Sequence, residues 1–290
     1  MTLPTLTQAH PPLPLADLVR EINRFATMEE SEKRALISRL VKIHPMLSLK
    51  WGPGHQFRRV RKFSSGVTPQ HVDEIIWRQD APATLGRANP KGFSVMYVAD
   101  RQDTALREAR INADWVTISE FQIRPGSSIF IYPIGELLQI VRTGRGFLSG
   151  DASDGISAML NACPHEEAQS LLLTDAFLFE QLVGHDDYEL SSFVAMEIFS
   201  KSDHITAIAY SSVRQLGAIN LAIKADTFWH SWGLTSLRHG YAEHLARGFY
   251  QLSRITRANG ICKSGKLSWE PTSDDELSTA PLDPPYFPES

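Results

Sequence analysis

From Gly86 to Arg110 the chain switches between polar punctuation and apolar runs, and the other segments are arranged around this stretch. Asn89-Pro90 and Gly92 mark a turn, and the β-forming run Phe93 to Ala99 between turns predicts a strand. Asp100 to Asp103 breaks that strand. Leu106, Ala109 and Ala113 then recur at helical spacing, behind Asp103 or Thr104 as a cap. Glu108 falls off this apolar stripe, at the margin of the buried face, where a carboxylate can reach a cleft.

The same reading applied along the chain predicts a flexible Pro- and Thr-rich lead-in to Pro14. A short amphipathic helix with Leu18, Ile22 and Phe25 follows it. Thr27 to Glu30 has the form of a capping box, opening a second helix with Leu36, Ile37, Leu40 and Val41 inward and ended by Pro45. Phe57 to Phe63 places four cations between two aromatics. On a strand, alternation sends Arg59 and Arg61 to one face; taken alone, the run reads as a solvated edge strand.

Trp115 to Ile123 and Ser127 to Ile134, separated by Arg124-Pro125-Gly126, read as a hairpin. Helices are expected over Ile156 to Asn161, Glu166 to Leu182 and Leu190 to Phe199. Strands His204 to Tyr210 and Ala218 to Ile223 flank the polar loop Ser211 to Gly217. Leu237, Tyr241, Leu245 and Phe249 suggest a long helix over Leu234 to Arg257, and beyond Gly260 an acidic, Pro-rich tail or wrapping arm. Strands and helices mix without βαβ alternation, which favours an α+β fold. The expected organisation is an N-terminal helical extension over 1–50, a catalytic domain over 51–228, and a C-terminal helix and tail over 229–290 packed on it.

Composition narrows the function. A chain of 290 residues with a formal net charge of −4 and no long basic tract is not built as a general binder of nucleic acid or membrane surfaces. Cys163 and Cys262 have neither CxxC nor metal-ligand spacing, so neither a disulfide framework nor a zinc site is indicated. No stretch approaches a membrane span and no secretory leader is visible, and a cytoplasmic location is the expectation.

GxSxG, HExxH and GxxxxGK[ST] are all missing from the chain. Thr143 to Gly150 has glycines but not GxGxxG spacing, and reads as an ordinary loop. His185-Asp186-Asp187 lacks a second ligand cluster, and His239 and His244 are five apart, off a common helix face. No metal is expected.

The pieces GRANPKG, MYVA, ALREAR and AYSSVRQLGAINLAI resemble the RES-domain family, named for its Arg, Glu and Ser. Members typically carry a Gly-Arg-aromatic-Asn turn, a Tyr-containing strand, a helix with the Glu, and a Tyr-x-Ser-Val-Arg loop before an apolar strand. Arg87, Tyr97, Glu108 and Ser212 fall on those positions in order, and the resemblance runs from Phe57 to Ile223. Arg59 matches an early family arginine that usually follows an aromatic, although Arg58 precedes it here. Ala88 stands where an aromatic is common.

The resemblance implies a mixed β-sheet core with surrounding helices, similar to ADP-ribosyltransferases, and NAD as substrate rather than a resident cofactor. Many members look like bacterial toxins that split NAD by phosphorolysis or hydrolysis and are neutralised by a cognate antitoxin. Others are similar to protein ADP-ribosyltransferases, and a degenerate, non-catalytic binding module is a third reading. A phosphate co-substrate and a homodimer joined by the Leu234 helix complete the expected partners.

Cleavage of the nicotinamide–ribose bond passes through an oxocarbenium-like state, as in glycoside hydrolysis. A Glu108 carboxylate suits that charge, with Arg87 and Ser212 completing the expected catalytic set. Arg59, Tyr97, Arg214 and Asn220 are the expected NAD-binding residues: cations for phosphates, a ring for stacking, and an amide for polar contact. Taken singly, each has a duller account as surface, core or loop closure; only their joint order makes a site.

Overall fold

The structure, a computed structural model, describes residues 4–45, 47–64, 66–184, 188–271, 281–282 and 284–288. The chain folds as two compact units, each assembled from separated segments. The first comprises Met1–Leu49, Thr84–Phe93 and Phe130–Ser211, and the second Lys50–Ala83, Ser94–Ile129 and Ser212–Ser290. The α+β expectation holds.

In the first unit the helices Leu15–Arg24, Glu30–Ile43, His165–Val183 and Tyr188–Ser200 pack together beside two parallel-paired strands, Ile129–Pro133 and Ile205–Ser211. Leu36, Ile37, Leu40 and Val41 are buried as the spacing predicts. The capping box uses Glu29 and Glu32 instead of Thr27 and Glu30, because Thr27 closes a 3-10 turn and donates its hydroxyl to the Arg24 carbonyl at 2.8 Å. The lead-in is more ordered than expected. Thr5 caps a one-turn helix, Leu6–Ala9, and buried Ser170 donates to the Leu13 carbonyl at 2.6 Å. The turn at Gly126 forms, with φ 79, but the strand after it pairs in parallel with Ile205–Ser211 and makes no hairpin.

The loop at Thr143–Gly150 is closed around an internal carboxylate. Buried Glu136 accepts from the amides of Phe147, Leu148 and Ser149 at 3.0, 3.1 and 2.6 Å. Amides that in a nucleotide loop would cradle a phosphate are occupied by the chain itself. His185, Asp186 and Asp187 lie outside the described residues.

His44 ends its helix fully enclosed, and burial, with Lys201 and His10 nearby adding to it, pushes its imidazole down to about 3 from 6.5. Between those values the folded state binds fewer protons than the unfolded chain. The stability due to neutral His44 is therefore complete above about pH 6.5 and lost as pH falls. The urea stability of the wild type minus that of His44→Leu is expected to shrink, by up to ~1.4 kcal/mol per pH unit, on lowering the pH from 6.5 to 4.5. A pH-independent difference would refute the enclosure of this imidazole.

The second unit is an antiparallel sheet in the order Ile219–Lys224, Val95–Ala99, Gln56–Phe63, Ala113–Ile123, Trp232–Ala246, Phe249–Ile261 and Leu267–Pro271. Gln56–Phe63 is thus an interior strand, paired on both sides, and not a solvated edge. On one face the helix Gln102–Glu108 sets Leu106 against Val60, Val116, Ile118 and Ala242. On the other, Phe121 and Trp232 meet Phe228 of the helix Ala225–Ser231, and Phe57 stands edge-on to Trp232.

The expected C-terminal helix is two strands. Trp232–Ala246 is buried at every position up to Gly240, so no alternation marks it as a strand. Arg247 and Gly248, with φ 50 and 86, form the two-residue turn into Phe249–Ile261, as paired primed turns require. Leu234 and Leu237 are interior, which removes the apolar stripe on which the homodimer rested. The described part of the tail does wrap the unit: Tyr286 bridges Leu234, and Leu282 donates its amide to the Thr235 carbonyl at 2.7 Å.

Candidate active site

Glu108 closes its helix, and Arg110 beyond it takes the left-handed conformation, φ 53, that ends α-helices. A carboxylate at a helix C-terminus opposes the helix dipole by roughly 0.3–1 kcal/mol. Donors from a different part of the chain offset this. Ser212 donates its hydroxyl to Glu108 Oε1 at 2.8 Å, and the Asn220 amide donates to the same oxygen at 2.8 Å. Glu108 Oε2 faces the Arg214 guanidinium, with Nε at 3.5 Å. Both of these side chains are about a third exposed (34% and 31%), so the ion pair is a surface-type contact that a ligand can open.

The loop that supplies these donors is fixed at both ends. The Ser212 amide donates to the Ala218 carbonyl at 2.8 Å, closing it. Asp100, at the end of the neighbouring strand, exchanges hydrogen bonds with Ile219, its carboxylate accepting from the Ile219 amide at 3.0 Å. Burial pushes the Asp100 carboxyl up, while the Ile219 amide holds it down. Ser212 Oγ also accepts from the amides of Arg214 and Gln215, at 3.1 and 3.2 Å. Its one proton and both acceptor positions are thereby committed.

Strand alternation sorts the remaining candidates. Asn220 pairs with Ala99 and Ala222 with Tyr97, so Tyr97, half-buried, shares a face with Asn220. Arg58 pairs with Ala99 and Glu120, on that same face. Arg59 is therefore on the opposite face, beside Ser119, where it donates to the carbonyls of Tyr97 at 3.2 Å and Ile76 at 3.5 Å. Burial, with the charge of Arg61 adding to it, pushes its guanidinium down to about 10. The structure thus puts Arg59, expected to bind NAD, on the face opposite Glu108, and the arginine on the Glu108 side is Arg58.

Sequence reasoning passed over Arg58, though the pair Phe57-Arg58 is itself aromatic followed by arginine. Arg58 donates to Glu120 Oε1 at 3.3 Å and to the Asp100 carbonyl at 2.8 Å. Glu120, buried, lies 3.6 Å from Arg238, which donates to Gln102 at 2.7 Å in the first turn of the Glu108 helix. A chain of charges thus anchors the start of the helix whose end carries Glu108.

Arg87 belongs to the first unit. It donates to the Leu182 carbonyl at 2.9 Å, in the last turn of the helix His165–Val183, and its guanidinium stacks 5.4 Å from the Tyr188 ring centroid. Its turn is locked by Asn89, whose amide donates to the Thr84 carbonyl at 2.8 Å, and Ala88 is fully enclosed. His239 and His244 lie on a strand, and no group of residues fit to hold a metal occurs among the described residues. None of the described helices is long and apolar enough to cross a membrane.

A family model described as the RES domain matches residues 58–230, more than half of the chain. Comparison with curated sequences and with solved structures finds no match to either.

Proposed function

Because the chain belongs to the RES domain family, we propose that it cleaves the nicotinamide–ribose bond of NAD as the toxin of a toxin–antitoxin pair. The observation that carries the reading is the Glu108 carboxylate, held on one oxygen by Ser212 and Asn220 and facing Arg214 with the other. Two donors on Oε1 fix the orientation. Oε2 is left for the substrate, because the Arg214 contact is weak and exposed.

In the proposed reaction the C1′–N bond breaks with its electron pair leaving on nicotinamide, which departs as a neutral ring and needs no acid. Oε2 stabilises the oxocarbenium charge that develops on the ribose and holds a ribose hydroxyl. Oxygen from water or phosphate then bonds to C1′, and the nucleophile's proton passes to solvent. Arg214, displaced from Glu108, is the cation proposed to place phosphate. Tyr97 and Arg58 are proposed to receive the rest of the nucleotide from the same face of the sheet. The role of Arg87 rests on the turn motif alone.

Ser212 acts in this scheme by aiming Glu108, since its hydroxyl has no free position for substrate. Ser212→Ala is expected to lower kcat about 10- to 100-fold with KM little changed, the size of one hydrogen bond to a charged group. Unchanged kcat would show that Asn220 alone sets the carboxylate.

The deciding experiment is nicotinamide release from NAD by the purified chain, with and without phosphate. Phosphate-dependent release identifies a phosphorylase and phosphate-independent release a glycohydrolase. No release in either condition refutes the NAD-cleaving reading.

A further inference from the structure

We infer that Arg107 is a positioning residue for the Glu108 carboxylate, and that it couples this site to the tip of the hairpin formed by Trp232–Ala246 and Phe249–Ile261. The inference rests on Glu108 being the acting carboxylate of the proposed reaction.

Arg107 directs its two terminal nitrogens to two different segments. Nη1 donates to the carbonyl of Arg214 at 2.6 Å, and Nη2 donates to the carbonyl of Arg247 in the hairpin turn. Both bonds are charge-assisted, and only a forked guanidinium makes the two together.

At Arg214 three contacts converge. Its amide is held by Ser212, its carbonyl by Arg107, and its guanidinium by Glu108. The rest of this loop is not anchored by apolar burial, for Val213 is 60% and Leu216 98% exposed. Polar clamps must therefore hold its shape, and the shape decides where the Ser212 hydroxyl points.

The hairpin tip is moulded to the same side chain. A Cβ on Gly248 would overlap the Arg107 guanidinium, and Gly248 already has φ 86. Glycine suits the positive φ of this turn and lets the guanidinium lie directly against it. Leu245 and Phe249, on either side of the turn, are exposed and do not anchor it. Arg107 is thus the link through which displacement of the tip reaches the Ser212–Arg214 turn.

The test compares the full chain with Arg107→Ala and Arg107→Lys, by hydrogen exchange and by nicotinamide-release kinetics. Arg107→Ala is expected to accelerate amide exchange both over residues 212–217 and over 246–249. Its kcat should fall ~10- to 100-fold with KM within about threefold, as for a lost transition-state orientation. Arg107→Lys, whose donors all sit on one nitrogen, should restore protection to one of the two segments at most. If Arg107→Ala does not fold, Arg107→Gln serves for the same readings. Unchanged exchange over 212–217, or unchanged kcat, overturns the inference. Should the wild type release no nicotinamide, the NAD reading fails by itself, and the exchange pattern alone decides whether Arg107 is the clamp.

Discussion

Glu108→Gln is expected to reduce nicotinamide release by about 10³-fold, the scale seen when a single charge-stabilising group is removed from a preorganised site. The amide keeps the shape of the carboxylate, and its oxygen still accepts from Ser212 and Asn220. Its NH2 then faces Arg214, which is about a third exposed and can swing into solvent. Folding should therefore be untouched, with the thermal midpoint moving no more than a few degrees. What is lost is the negative charge opposite the ribose, so the defect should fall on kcat. Activity above a tenth of wild type would remove Glu108 from the chemistry. If growth arrest on expression reflects NAD loss, the same substitution should relieve it.

Phe228→Ala is expected to cost about 3–5 kcal/mol of stability, the upper range for emptying a buried aromatic position. Phe228 is fully enclosed, with ring centroids of Phe121 at 5.3 Å, Trp77 at 5.6 Å and Trp232 at 5.7 Å around it. These neighbours are large rings from separate segments, and they cannot collapse into the hole without breaking their other contacts. Its helix, Ala225–Ser231, spans only seven residues and has little else to hold it. Urea denaturation of the purified variant reads the loss directly; a difference below 1 kcal/mol would mean that the aromatic layer repacks.

The turn, the strand and the presence of a helix before Glu108 were legible because their signals are local. The helix itself starts at Gln102 behind Arg101 rather than behind Asp103 or Thr104, and Ala113 opens the next strand instead of extending the helical stripe. Asn89-Pro90 and Gly92 punctuate, Val95–Ala99 is rich in β-formers, and the next helix is short and amphipathic. The loop from Ser211 to Gly217 was legible for the same reason. That its Ser212 and Asn220 meet Glu108 was not, since the contact joins segments more than a hundred residues apart. Only the family pattern placed them together in advance.

The C-terminal strands were misread for a physical reason. In Trp232–Ala246 both faces are covered through Gly240, and a doubly buried strand has no period-two signature. Leu237, Tyr241 and Leu245 happen to fall at helical spacing. The corrective signal was Arg247-Gly248, a two-residue turn between β-forming runs. That Arg58 and Arg59 lie on opposite faces was hidden for a different reason. Motif matching allows a shift of one position, whereas a strand turns such a shift into opposite faces.

That sensitivity bears on how this protein can vary in length. Gln56–Phe63 is paired residue for residue with Ala113–Ile123. An insertion or deletion of one residue inside it would exchange the faces of Arg58 and Arg59 and take Phe57 away from Trp232. Gly52 to His55, just before the strand, is half-exposed or fully exposed and can absorb such a change. Natural or engineered length variants are therefore expected to collect ahead of Gln56 and to be missing from Phe57 to Lys62.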